Sequence, residues 1–161
     1  MQKNMQENDF IVSKTDLRGR ITYVNKIFMD MAEYTEEELL GSPHSIIRHP
    51  DMPKAVFKYL WDTIKQKQEV FAFVVNQTKQ GNEYWVYANV TASLDEKGNI
   101  IGYYSVRRQP NPKALEIIKP LYAKMIEVEK KSGVEASFKV LTDILAEKGV
   151  SYDELIISIQ E

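Results

Sequence analysis

The chain predicts an α+β domain, a five-stranded antiparallel sheet with helices on one face, followed by a C-terminal helical extension. Three observations point there. Two strand-like runs open the chain, short helical patterns follow, and three strand-like runs joined by glycine turns come next, an order that builds a hairpin, a helical layer and a meander. At 161 residues with 43% hydrophobic side chains, there is enough apolar material for one core of ordinary size. Beyond Pro110-Asn111-Pro112 the strand patterns end and apolar residues recur at helical spacing. The expected organisation is a polar segment over 1–9, the α+β domain over 10–109 and the extension over 110–161.

Residues 1–9 are polar and read as poorly ordered, or as a frayed helix used for contacts. Phe10 to Thr15 reads as a strand, Asp16 to Arg20 as a turn with glycine late in it, and Ile21 to Asn25 as the returning strand. Ile27-Phe28, Met31-Ala32 and Tyr34 recur at helical spacing. Thr35 with Glu38 fits a capping box, and Gly41 stops the helix it starts. Ala55-Val56, Tyr59-Leu60 and Thr63-Ile64 predict the longest helix of this half, with Phe57 and Trp61 four apart on an adjacent strip.

Val70 to Val75 is a continuous apolar run, consistent with a buried strand. From Tyr84 to Leu94 the even-numbered side chains are mostly apolar, which puts Trp85, Tyr87 and Asn89 on the less buried face. Ile100 to Arg107 completes the meander. Asn111 suits a helix cap and Pro112 the first helical position. The helix that follows carries the strip Leu115, Ile118, Leu121-Tyr122 and Met125. Ser132-Gly133 interrupts it, a second helix runs to Gly149, and Ser151 with Glu154 opens a last one. Such helices are not stable alone in water. Their apolar strip must therefore meet its own sheet, a second copy in a homodimer, or another protein.

Composition removes several functions. A net charge of −2 and a pI near 5.8 give no electrostatic case for nucleic acid or an anionic membrane. No apolar run approaches the ~20 residues of a membrane span, and the first residues lack the apolar stretch of a signal peptide. The expected place is the cytoplasm, with any membrane association through a partner. There are no cysteines, hence no disulfide, thiolate metal site, cysteine nucleophile or thiol switch. Redox sensing here would need a bound cofactor. No glycine-rich phosphate loop or catalytic constellation stands out, and the two histidines do not specify a metal site. An enzyme is not expected.

The run from Gly41 to Pro53 is the densest in chemistry. It holds both histidines, Arg48 and Asp51, and three of the six prolines. Prolines at 43, 50 and 53 fix the backbone locally and break any helix, so polar side chains are carried on a short, stiff segment. Such a segment suits the mouth of a pocket. Loop histidines capping backbone groups, and a surface pair between Arg48 and Asp51, are the plainer alternatives. Asn25 either caps the next helix or lines the pocket. Phe57 and Trp61 serve either as core or as walls for a flat ligand, and Asn76 shares the alternation of Val70, Ala72 and Val74.

The stretch DLRGRITYVNKIFMDMAEYTEEELLGSPHSIIRHPDMP, with Trp61, VVNQTKQGNEYWVYANV and GYYSVRR, resembles the PAS sensor domain of bacterial aerotaxis receptors and of short, Campylobacter-type energy-taxis PAS proteins. The resemblance covers roughly residues 10–125. It implies a PAS fold, FAD bound non-covalently in the PAS pocket, and a redox state read by a membrane-bound chemotaxis transducer. By the same resemblance, Arg48, His49 and Asp51 fall on positions that hold FAD, and Asn25, Phe57 and Asn76 on pocket positions. Where the family often has a tryptophan and a glycine, this chain has Val70 and Ala72, which alters one wall.

Two other readings come from different classes. A cofactor-free interaction or dimerisation module would fill its pocket with Val70, Phe73 and Trp61. A haem-binding sensor would use His44 or His49 as the iron ligand. Photosensory flavin domains resemble the chain from Asn76 to Trp85, but their photoadduct requires a cysteine where this chain has His44.

Overall fold

The computed structural model describes residues 1–161 and has the α+β architecture. Its elements are β1 (Gln2–Lys3), β2 (Phe10–Asp16), β3 (Ile21–Val24), α1 (Lys26–Ala32), α2 (Glu36–Leu39) and α3 (Lys54–Ile64). After these come β4 (Val70–Gln77), β5 (Glu83–Leu94), β6 (Ile100–Arg108), α4 (Pro112–Ser132), α5 (Val134–Lys148) and α6 (Tyr152–Gln160). Five strands form an antiparallel sheet in the order β3-β2-β6-β5-β4. At Gly102 the strands approach so closely that a Cβ would stand 2.3 Å from the Thr15 carbonyl oxygen, which leaves glycine as the fitting residue.

A sixth strand comes from the polar N-terminus. The 12-residue β5 pairs with β6 only from Tyr87 onward, so its first backbone groups have no partner on that side. Gln2 and Lys3 run parallel beside Glu83 and Tyr84 there, and the Glu83 N–H donates to the Met1 carbonyl at 2.9 Å. Polarity made this segment read as poorly ordered. The demand of an exposed strand edge for hydrogen bonds orders it instead.

The register fixes which residues look inward. Ser13 lies across from Ser105 and Ser105 from Val90; Ile11 lies across from Arg107 and Arg107 from Ala88. On β4, Val74 and Asn76 share this face. The helices α1 to α3 and the segment between α2 and α3 lie over it. Asn25 caps α1 with its Oδ1, which accepts from the Phe28 N–H at 3.1 Å, and Thr35 forms the full capping box with Glu38 at α2.

The extension covers the other face at β4 and β5. Ile118, Tyr122 and Met125 of α4 are buried, Tyr122 donates its hydroxyl to the Phe73 carbonyl at 2.6 Å, and its ring lies 5.9 Å from Trp85. Trp85 and Tyr87, expected on the less buried face, are therefore covered. Of the three destinations open to the apolar strip, its own sheet is the one occupied. Helices α5 and α6 continue to α3, where Tyr59 packs on Phe138 and Tyr152 at ring separations of 6.2 and 4.4 Å.

One contact ties the layers together. Helix α3 starts after Pro53, which has no side-chain cap to offer. Glu129 of α4 supplies one across 75 residues: Oε1 accepts from the Lys54 N–H at 3.0 Å and Oε2 from the Ala55 N–H at 3.1 Å. The Ser137 hydroxyl donates to the same Oε2 at 2.8 Å. A carboxylate at a helix start satisfies bare N–H groups and opposes the positive end of the helix dipole.

Candidate functional site

Between the sheet and its inner helices lies a cavity of about 280 Å³. The sheet contributes Ser13, Thr15, Val74, Asn76, Ala88, Val90, Tyr103, Ser105 and Arg107. Opposite them stand Phe57, Leu60 and Trp61 of α3, with Pro43 to Ser45, Ile47 and Arg48 from the proline-broken segment. That segment is not extended throughout, since His44–Ile47 makes one 3₁₀ turn between the prolines. Arg18 and Gly19 of the β2–β3 turn complete the rim.

Five of the eight residues singled out from sequence meet here: His44, Arg48, Phe57, Trp61 and Asn76. Arg48 is exposed at the rim, with its guanidinium 4.5 Å over the Phe57 ring, and its backbone forms an isolated bridge with Asn76. Trp61 stands edge-on to Tyr103 at 5.0 Å. The Asn76 Nδ2 is buried with no hydrogen-bond acceptor.

The other three stand outside the cavity. Asn25 spends its amide on the backbone, accepting from the Val12 and Phe28 N–H groups and donating to the Phe10 carbonyl. His49 turns away from the cavity. Its Nδ1 accepts from the Asp51 N–H at 2.9 Å, which leaves the proton on Nε2, 3.1 Å from a Glu83 carboxylate oxygen. The Asp51 side chain is 75% exposed and 3.9 Å from His49.

Arg107 is the residue that sequence reasoning missed. It is 4% exposed, and no acidic side chain lines the cavity with it. Its Nη2 donates to the Ser13 Oγ at 2.6 Å, its Nη1 lies 3.3 Å from the His44 Nε2, and its Nε has no partner. The guanidinium lies 4.8 Å over the Phe28 ring. The Ser13 hydroxyl accepts from Arg107 and stands 3.0 Å from the His44 Nε2, to which it can donate. That polarity requires a neutral imidazole. Desolvation, and then the charge of Arg107, hold His44 down to about 3. Burial lowers Arg107 to about 10, still protonated at neutral pH.

Three more buried groups lie nearby without a closed hydrogen bond: the Thr15 hydroxyl, and the Asn76 amide and Tyr84 hydroxyl, which face each other. Tyr84 sits opposite Asn76 in the sheet register, and burial pushes its hydroxyl up to about 12. Buried polar groups in native proteins are nearly always satisfied, by protein, water or ligand. The readable signal for Arg107 was its place on the inward alternation of Tyr103 and Ser105. An arginine at a strand end reads as surface until neighbouring strands supply that alternation.

The alternative pocket fillings can now be placed. Phe73 faces the other side of the sheet, packed 5.1 Å from Tyr87, and Trp61 lines the cavity without filling it. Neither histidine presents an uncommitted Nε2 to the cavity, since that of His44 meets Ser13 and Arg107 and that of His49 meets Glu83.

Comparison with known proteins agrees with this architecture. Over 118 residues the chain is 39% identical to the aerotaxis receptor of Escherichia coli K12, a match covering 73% of this chain and 23% of the receptor. Over 104 residues it is 26% identical to the nitrogen fixation regulatory protein of Klebsiella pneumoniae, covering 65% and 21%. The chain thus spans under a quarter of the length of these relatives. Among solved structures, a light-oxygen-voltage domain studied with a flavin analogue superposes with a TM-score of 0.60 at 18% identity, over 75% of this chain and 86% of that one, a likeness of fold. Residues 21–107 match the family profile described as PAS fold, more than half of the chain, and the chain belongs to that family.

Proposed function

We propose that this protein is a redox or energy sensor that holds FAD non-covalently in the cavity and passes its state to the cytoplasmic part of a membrane-bound chemotaxis transducer. The observation that carries this reading is the cluster of buried, unpaired donors at Arg107 and Asn76 beside aromatic walls. A flavin presents a flat ring system to such walls and a carbonyl-bearing edge to such donors. The similarity to an aerotaxis receptor and to a nitrogen fixation regulatory protein supports the sensory role. No helix is long and apolar enough to cross a membrane, which fits a cytoplasmic module reaching the membrane through its partner.

The cavity of about 280 Å³ is near the lower end of small-molecule sites, ~300 Å³, so it takes the ring system while the rest of the dinucleotide lies at the rim. The fork of Arg48 suits a pyrophosphate there. Phe57 stacks beneath Arg48, Trp61 and Tyr103 wall the ring, and Asn76 with the neutral His44 offers polar contacts. His49 and Asp51 hold the segment from which Arg48 projects, and Asn25 holds Phe28 under Arg107. Once bound, the flavin supplies the electron chemistry; the chain binds it, orients it and limits water.

Protein purified without added cofactor is expected to be yellow, absorbing near ~370 and ~450 nm as flavins do. A sharp band near ~400–420 nm would mean haem. Protein that is colourless and stays so after FAD is added overturns the proposal. Arg48→Ala is expected to release flavin with the fold intact. Signalling is tested by capturing the transducer's cytoplasmic part with oxidised and reduced protein, where equal capture counts against it.

A further inference from the structure

Helix α3 carries much of one cavity wall, yet its own sequence gives it a weak beginning. Phe57, whose ring lies 4.5 Å from the Arg48 guanidinium, stands in its first turn, with Leu60 and Trp61 one turn later. The opening N–H groups of an α-helix have no partner inside it. A serine, threonine, asparagine or aspartate usually meets one of them. Helix α3 has Pro53 in that place, with no side-chain acceptor. Without an acceptor the first turn frays, and a fray here displaces Phe57 and the end of the segment that holds Arg48.

Glu129 is committed to supplying that acceptor. Its half-buried carboxylate makes no ion pair with a lysine or arginine, and its three partners are the Lys54 N–H, the Ala55 N–H and the Ser137 hydroxyl. Ser137 is fully buried in the first turn of α5, so one carboxylate gathers α3, α4 and α5. The other side-chain caps of the extension serve their own helices. Asn111 accepts from the Lys113 N–H of α4 at 2.9 Å, and Ser151 from the Glu154 N–H of α6 at 3.2 Å. Glu129 reaches out of the extension instead.

We infer that Glu129 is a positioning residue of the ligand site: from outside the cavity it sets the first turn of α3, and through that turn the placement of Phe57 and of the rim segment ahead of it. The C-terminal extension thereby takes part in building the site. Coupling of this kind is reciprocal, so a ligand that rests on α3 tightens the hold of α4 and α5 by the same factor. The inference rests on the FAD reading for its probe and concerns a residue that touches no ligand.

The test titrates FAD into full-length variants at a temperature where all are folded, followed by flavin fluorescence. Glu129→Ala is expected to weaken FAD binding roughly two- to thirty-fold, the factor that a helix cap is worth. Glu129→Gln keeps an acceptor and is expected to lose less. Asn111→Ala is the matched control, since it removes a cap from α4 at a similar cost in stability without touching α3. It is expected to bind FAD as the wild type does. In amide hydrogen exchange, FAD is expected to slow the Ser137 amide in the wild type and not in Glu129→Ala. Wild-type affinity in folded Glu129→Ala overturns this inference and leaves the FAD reading intact. Equal losses in Glu129→Ala and Asn111→Ala also overturn it, because affinity would then follow general stability. If Glu129→Ala does not fold, Glu129→Gln carries the comparison with Asn111→Ala under the same outcomes. Failure of the wild-type chain to bind FAD overturns the FAD reading and this inference with it.

Discussion

At the scale of single residues, His44 makes the cavity sensitive to acid. Its imidazole is held down to about 3 by desolvation and by the charge of Arg107, against an ordinary value of 6.5. Because the folded state disfavours the proton, the unfolded chain binds it first as the pH falls. Stability from this group is fully present above about 6.5 and is lost progressively as the pH drops toward 3, with a slope of up to ~1.4 kcal/mol per pH unit. Urea unfolding of the wild type between pH 7 and 4 should show this slope, and His44→Gln should show a shallower one. Parallel slopes would assign the acid sensitivity to carboxylates alone. The same residue shows what sequence can and cannot disclose. That His44 and Arg48 belong to one stiff segment follows from the prolines. That His44 meets Ser13 and Arg107, 31 and 63 residues away, follows only from strand register. Asn25 is the converse case, since capping and pocket lining suit an asparagine equally and only its three backbone partners decide.

At the scale of elements, α3 depends on α4 for its first turn. Helix starts without a capping side chain lose about 0.5–2 kcal/mol, and here the carboxylate of Glu129 fills that role for Lys54 and Ala55. Glu129→Ala should lower stability by about 1–2 kcal/mol and Glu129→Gln by less, since an amide oxygen still accepts but carries no charge toward the helix dipole. Thermal unfolding measures both. A Glu129→Ala protein as stable as wild type would reduce the contact to a surface one. Helix periodicity revealed that α4 has an apolar stripe, and it identified Ile118, Tyr122 and Met125 correctly as its members. It contained nothing about which surface the stripe covers, because an amphipathic pattern specifies a buried side without naming the neighbour.

At the scale of the whole molecule, the sheet is buried on both faces at β4 and β5, while the outer face of β2, β3 and β6 keeps Phe10, Lys14 and Tyr23 exposed. The order of elements and the alternation in the meander were enough to read the strands and the inner helical layer. The second layer escaped because Trp85 and Tyr87 sit on a face that looks mixed in sequence until α4 and α6 cover it. The surfaces with the plainest apolar pattern, that strip and those aromatics, face each other and are not a free docking site. A chain ending after Gln109 would expose Phe73, Trp85 and Tyr87 together. At ~1.5–3 kcal/mol for each large apolar side chain, that loss rivals the ~5–15 kcal/mol net stability of an ordinary domain. Such a fragment should bind a hydrophobic dye, show a red-shifted tryptophan emission and aggregate on mild heating. A soluble fragment with the wild-type melting temperature would contradict this.

The Glu129 clamp also sets an order in time. A ribosome adds about 5–20 residues per second, so the roughly 75 residues between Lys54 and Glu129 take about 4–15 seconds to appear. During that interval β4, β5 and β6 emerge and can pair, while the wall helix of the cavity still lacks its cap. The nascent domain is therefore looser on its α3 side than the finished one.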